Sequence, residues 1–244
     1  MISKAKVSFI KSLQVKKYRL AEQCFLVQGA KAVNEVLASD YTVELLVGTS
    51  SFLQGASQAR KAKEVSEATE SELTALGSVE TNSSALAVVR MKPPSRPVIP
   101  KDNFTLVLDD KRDPGNLGTI IRTADWYGIA TILASDETAD WYNPKVINAT
   151  MGSFLRVEVH YGSLDEWLAA ADLPVYGTFL DGQDVHTINF GKGGLIVIGN
   201  ESRGISPEVE KRVTQRITIP RIGKAESLNA SVATAIVLDN LHRS

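Results

Sequence analysis

Three stretches of the chain place amide, hydroxyl and charged side chains where glycine and proline hold the backbone tightly. GNESRGIS (199–206) follows the apolar run GGLIVI and sets Glu201 and Arg203 on a glycine-flanked turn. Asp113-Pro114-Gly115-Asn116 follows TLVLDDKR and opens an apolar-periodic segment that carries Arg122. IPRIGKAESLNASVATAIVL (219–238) offers Ser227 and Asn229 at the mouth of an almost uncharged helix. Such groups suit the binding and orientation of a polar ligand at the end of a parallel strand. A reading without a ligand stands beside this one. Asn116 and Asn229 are then helix caps, Arg122 is a surface residue, and Glu201 with Arg203 is a solvated ion pair. A fourth stretch, YGTFLDG (176–182), leaves a strand with small residues around Thr178 and Leu180. It fits either a backbone edge that holds a ligand or an ordinary strand exit.

Other chemistries lack their residues. His160, His186 and His242 are scattered, with no HExxH, and no GxSxG elbow occurs. The single cysteine, Cys24, excludes an internal disulfide and a cysteine-clustered zinc site, so no metal is expected. Neither GxGxxG nor GxxxxGK[ST] is present, which removes the dinucleotide and P-loop readings.

The elements that must position these residues follow from pattern. At 244 residues, 43% hydrophobic and 23% charged, the chain is an ordinary globular protein of one large or two small domains. No apolar stretch approaches the roughly 20 residues of a membrane helix, and a cytoplasmic location is expected. The net charge is -1, yet Lys4, Lys6, Lys11, Lys16, Lys17 and Arg19 all precede the first acid, Glu22. That is a local face able to meet phosphates, or simply a solvated helix.

Residues 1–91 alternate short strands (24–29, 42–48, 63–69, 84–91) with helices (a basic first helix, 30–38, 50–62, 70–77). KPPSRPVIP (92–100) has four prolines and reads as a linker. Beyond it, apolar runs at 105–110, 130–134, 155–159, 175–180, 195–200 and 216–220 read as buried strands with helices between most of them, the last from about Ser227 to His242. This predicts an α/β parallel sheet whose ligand lies beyond the carboxyl ends of the strands. The helix after 113–116 is read as starting at Leu117, with Leu117, Ile120, Ile121 and Ala124 inward.

DPGNLGTIIRTADWYG, IGNESRGIS and IPRIGKAESLNASVATA together resemble, in order, the three signature motifs of the SpoU-TrmH methyltransferases of the SPOUT superfamily. KKYR followed by FLVQGAKAVNEVL resembles the opening of that family's N-terminal substrate-binding domain, departing at Gln28, where glutamate is common. The resemblance implies a small α/β RNA-binding domain (1–91), a linker (92–100) and a SPOUT catalytic domain (101–244) with a deep trefoil knot. It implies methyl transfer from S-adenosylmethionine to a ribose 2′-hydroxyl of RNA, with ribosomal RNA favoured over transfer RNA, by a homodimer joined through the knotted region and last helix. By the same resemblance the cofactor lies against Thr178, Leu180, Gly199, Asn200, Glu201, Ile219, Ser227, Leu228 and Asn229. Asn116, Arg122, Glu201, Ser227 and Asn229 are the implied catalytic residues, with Asn116 orienting Arg122 or the ribose and Glu201 holding Arg122 or a loop amide. A guanidinium, with a pKa above ~12, suits stabilising the alkoxide better than acting as its base. Lys16, Lys17, Arg19, Arg122 and Arg203 are the implied RNA contacts, with Arg221 a further one where members often carry an apolar residue. A catalytically silent RNA-binding protein on the same scaffold is the alternative; an enzyme of another adenosine-containing cofactor is a third reading.

Overall fold

The structure, a computed structural model, describes residues 2–77, 83–241 and 243. In chain order the helices are α1 Lys4–Ser12, α2 Lys16–Glu22, α3 Ala30–Ala38, α4 Ser50–Gly55, α5 Glu70–Leu76, α6 Pro114–Trp126, α7 Pro144–Thr150, α8 Leu164–Ala170, α9 Pro207–Glu210 and α10 Ala230–Leu241. The strands are β1 Cys24–Gln28, β2 Val43–Gly48, β3 Glu64–Glu67, β4 Ala85–Arg90, β5 Phe104–Leu108, β6 Thr131–Ala134, β7 Glu158–Tyr161, β8 Val175–Asp184, β9 Gly194–Ile198 and β10 Gln215–Thr218. They form two compact units: Met1–Pro93 with Asp140–Leu155, and Pro94–Ala139 with Arg156–Ser244.

The first unit is built on a mixed sheet, β1-β4-β2-β3. β4 runs antiparallel to β1 and β2, and β3 parallel to β2. The expected helix over 50–62 stops at Gly55, and 59–61 form only a single 3₁₀ turn. Helix α5 begins with a capping box, Thr69 and Glu72 satisfying each other's backbone amides. Residues 140–155, assigned from sequence to the second segment, belong to this unit. Helix α7 packs on β1, and the Phe25 ring lies 4.7 Å from Tyr142 and 5.9 Å from Phe154.

Arg19 is part of this same join, which corrects its expected role at RNA. Its side chain is 2% exposed, donates to the carbonyls of Leu13 (2.9 Å) and Gln14 (2.8 Å), and pairs with Asp140 at 2.5 Å. A cation enclosed in this way has no face left for a phosphate. Lys16 and Lys17 remain exposed on α2, whereas Lys6 is tied to Glu64.

The second unit is a six-stranded parallel sheet, β10-β8-β9-β5-β6-β7. Val107, Leu133, Val175, Leu195 and Val197 pack with Leu164 and Leu168 of α8 and Val209 of α9. The alternate residues Leu106, Leu108, Ile132 and Ile196 are equally buried, so the sheet is covered on its other face too. Helix α10 packs on α6. The strand expected over 155–159 forms later, at Glu158–Tyr161. Helix α10 begins at Ala230 rather than Ser227, and His242, its expected end, lies outside the described residues. Because all strands are parallel, the loops after β5, β8, β9 and β10 emerge at one edge of the sheet, from four neighbouring strands.

Candidate active site

The loop after β5 is shaped by its own backbone. Asp110 adopts a left-handed conformation (φ 57°), and its amide donates to Ser135 Oγ at 3.0 Å. Lys111 is then pinned on both sides: its amide donates to Thr138 Oγ1 (3.2 Å), and its carbonyl accepts from Ala139 (2.7 Å). Helix α6 starts at Pro114, three residues earlier than expected, with Asp113 as its cap: Asp113 Oδ1 accepts from the Asn116 amide at 2.7 Å. Asn116 is therefore not the cap, and its side chain is free for other partners.

The loop after β9 is clamped against that segment. Gly199 is required there: a Cβ would stand 2.4 Å from the Gly204 carbonyl carbon. Asn200 and Gly204 exchange backbone hydrogen bonds at 2.8 and 3.0 Å. Asn200 Nδ2 donates to the Asp110 carbonyl (2.9 Å), Asp109 accepts from the Ser206 amide (2.7 Å), and Arg203 pairs with Asp110. Glu201 and Arg203 thus form no pair with each other. Arg203 takes Asp110, and Glu201 takes Lys111, whose Nζ lies 3.2 Å from Glu201 Oε1.

From Glu201 a chain of hydrogen bonds crosses three loops. Asn116 Nδ2 donates to Glu201 Oε1 at 3.4 Å, and Asn229 Nδ2 donates to Asn116 Oδ1 at 2.9 Å. Asn229 Oδ1 accepts from Ser231 N (2.9 Å) and Ser231 Oγ (2.6 Å). Asn229 is thus both the cap of α10 and a member of the cluster. Every donor in the chain points towards Glu201, so the carboxylate sets the direction of both side-chain amides.

The remaining candidates flank this cluster. Between the pairs Gly177–Arg216 and Gln183–Ile217 the β8–β10 ladder loses register, and residues 178–182 leave it. Thr178 Oγ1 donates to the Val197 carbonyl (2.9 Å), while Leu180 projects 81% exposed. Residues 220–229, including Ser227 and Leu228, form an exposed loop after Ile219, and Ile222 is wholly exposed. Arg221 reaches only the Ala225 carbonyl, at 3.4 Å. A cleft of 570 Å³ beside the clamp is lined by Asp109, Asp136, Glu137, Asp165 and Glu208 among others. Arg112 and Arg203 line it as well, but it contains none of Asn116, Glu201 and Asn229, so the amide cluster is the better candidate.

Residues 103–239 match the SpoU rRNA Methylase family, and residues 4–87 match the MRM3-like substrate binding domain. The chain belongs to the SpoU rRNA methylase family. The 23S rRNA (guanosine(2553)-2′-O)-methyltransferase RlmP of Bacillus subtilis (strain 168) is 32% identical over 241 residues, 97% of this chain and 95% of that protein. The solved structure of a TrmH-family protein from Porphyromonas gingivalis is 40% identical and superposes with a TM-score of 0.90, over 100% of this chain and 99% of that one. An rRNA methyltransferase from Sinorhizobium meliloti with AdoMet bound is 29% identical, with a TM-score of 0.89 over 100% and 96% of the two chains.

Set against the family's implied roles, the structure brings Asn116, Glu201 and Asn229 together and leaves Arg122 outside their hydrogen-bonded chain. Arg122 is exposed on α6 and makes no hydrogen bond or ion pair among the described residues. Of the two partners implied for Glu201, Arg122 and a loop amide, Arg122 is not the one it meets: Glu201 pairs with Lys111 and accepts from the Asn116 side-chain amide. Lys111 went unnoticed in the sequence because a lysine between an acid and an arginine in a loop reads as solvated; nothing in DDKRDP signals that its side chain turns inward.

Proposed function

We propose that this protein transfers a methyl group from S-adenosylmethionine to a ribose 2′-hydroxyl of ribosomal RNA. The observation that carries the reading is the chain Glu201–Asn116–Asn229, which joins three separate carboxyl-end loops into one polar cluster. A silent RNA-binding scaffold has no use for a carboxylate and two oriented amides held together across these loops. The alternative is therefore not favoured.

The residues present fit the cofactor. Leu180, Ile222 and Leu228 are apolar side chains left uncovered on the loops after β8 and β10, and the backbone at 178–182 has left its ladder. A planar adenine with polar edges would cover the former and use the latter. Gly199 lets the β9 loop turn back closely on itself, and Thr178, Ile219 and Ser227 complete the proposed lining. Bound S-adenosylmethionine supplies a sulfonium methyl that is already electrophilic and leaves behind a neutral thioether. This chain must place the 2′-oxygen in line and lower the cost of its negative charge. Asn116 and Asn229 orient the ribose, Glu201 fixes their direction, and Arg122 stabilises the developing alkoxide as the proton leaves to solvent or RNA phosphate. Lys16, Lys17 and Arg203 face the RNA backbone; Arg203 keeps most of its side chain exposed despite its bond to Asp110.

We propose further that β10 and the chain after it close the family's trefoil knot, that the protein acts in the cytoplasm, and that it works as a homodimer. Trp126, at the end of α6, is 83% exposed, and Val232 on the adjoining α10 is half exposed. Apolar surface of that kind on two packed helices favours a partner of the same chain. Val232→Asp should then shift sedimentation from dimer to monomer; a monomeric parent protein would refute the interface.

Calorimetric titration with S-adenosylmethionine tests the pocket. One site per subunit, lost in Leu228→Arg, supports it. No binding, from folded protein with RNA present, would overturn it.

A further inference from the structure

Lys111 is the most deeply buried cation of the second unit, at 1% exposure, and its place is fixed by backbone bonds on both sides of its Cα. Its ammonium lies 3.2 Å from Glu201 Oε1, at ion-pair distance but without the alignment of a hydrogen bond, and no other described group accepts from it. A packed apolar residue of similar volume would avoid the cost of burying this charge. Glu201 is only two-thirds covered and could be hydrated without a lysine beneath it. The stability of the fold therefore gives no reason for a lysine here. The cluster above Glu201 does.

We propose that Lys111 is a positioning residue for methyl transfer: from beneath the site it holds the Glu201 carboxylate in the one place where it can orient Asn116 and, through it, Asn229. This rests on the proposed function of that cluster. The chemistry runs from the ammonium outwards. A carboxylate on a flexible side chain at a glycine-flanked turn samples several rotamers. A fixed cation below it selects one of them. Glu201 Oε1 then accepts from Asn116 Nδ2, which leaves Asn116 Oδ1 to accept from Asn229 Nδ2. Without the cation the carboxylate swings towards solvent, both amides lose their reason for a single orientation, and the ribose loses its guides. Burial lowers the affinity of Lys111 for its proton, while Glu201, Asp109 and Asp110 act to retain it. The three carboxylates are the charged groups that face the ammonium.

The test uses the 244-residue protein and three variants, Lys111→Met, Glu201→Gln and the double variant, with unmodified 23S rRNA transcript as acceptor. The expected result for Lys111→Met is a fall in kcat of about 10- to 100-fold, the scale of a misplaced reacting geometry. The KM for RNA and the Kd for S-adenosylmethionine should be unchanged, and the melting temperature unchanged or higher. The double variant should be no slower than Glu201→Gln alone, because Lys111 acts only through Glu201. Independently of activity, side-chain amide resonances of ¹⁵N-asparagine-labelled protein should move for Asn116 and Asn229 in Lys111→Met. A kcat within twofold of the parent, an additive loss in the double variant, or unmoved amide resonances would each overturn the proposal. If Glu201→Gln also retains full activity, the role of the whole cluster fails. If the parent protein modifies no RNA, the function fails while the resonances still decide whether Lys111 sets the amides.

Discussion

Asn229 Nδ2 donates to Asn116 Oδ1 at 2.9 Å, joining the first turn of α6 to the cap of α10 across 113 residues of chain. Asn116 turns the other end of its amide to Glu201, which favours the flip that leaves Oδ1 facing Asn229. Replacing Asn116 by Asp removes that donor and sets a second carboxylate against the first. Asn116→Asp should cut methyl transfer by about 100-fold, with cofactor affinity unchanged by calorimetry. Activity near that of the parent would show that the amide direction is unimportant.

Arg122 has no partner within the described residues, so its substitution tests function with little interference from stability. Arg122→Lys keeps the charge and loses the planar fork. We expect turnover to fall at least about tenfold, consistent with a lost oriented donor, and unfolding free energy to change by no more than ~0.5 kcal/mol. Full activity in the lysine variant would show that charge alone suffices.

Arg19 and its neighbours on α2 should behave in opposite ways. Breaking the Arg19–Asp140 pair leaves an uncompensated, largely buried charge, so Arg19→Met should cost about 3–5 kcal/mol in urea unfolding. Lys16→Ala and Lys17→Ala should leave stability unchanged and weaken RNA binding, each flattening the salt dependence of log K by about 0.7 to 0.9. Weakened RNA binding by folded Arg19→Met, with Lys16→Ala and Lys17→Ala neutral, would reverse the assignment.

Lys111 also predicts a pH dependence. Burial lowers its pKa from the ordinary 10.5. Between the lowered value and 10.5 the native state binds fewer protons than the unfolded chain, so this group makes stability rise with pH there. Below that window its contribution is a constant cost. The parent protein should therefore gain stability relative to Lys111→Met as pH climbs towards 10.5, in urea titrations on the two proteins. The comparison cancels Cys24, Tyr127 and Tyr176, which titrate in both and whose pKa values burial raises. A difference independent of pH would mean that Lys111 is not held in a desolvated site.

Most of the strands, and the edge at which the candidate loops emerge, are legible in the sequence, because buried parallel strands read as continuous apolar runs such as LIVI and TLVL bounded by glycine or acid. Strand order is not, since nothing local to β8 or β10 states that they pair with residues 178–182 excluded. That residues 140–155 group with the first unit is not legible, because their packing on β1 depends on Phe25, far away in sequence. The motifs name Asn116, Glu201 and Asn229, but residue type alone suggests a cap for Asn116 and Arg203 as the ion-pair partner of Glu201. The structure replaced these with Asp113 and Lys111. The burial of Arg19, expected at RNA, and of Lys111 is not legible for one reason: a cation is presumed solvated until tertiary structure closes over it.

The most direct test of the central claim is the chemical identity of the product. The purified protein is incubated with methyl-labelled S-adenosylmethionine and unmodified 23S rRNA transcript, and the RNA is digested to nucleosides and analysed by mass spectrometry. The account predicts label in a single 2′-O-methylnucleoside, absent with Asn116→Asp. Label on a base, or no label in RNA from a folded protein that binds S-adenosylmethionine, would contradict it.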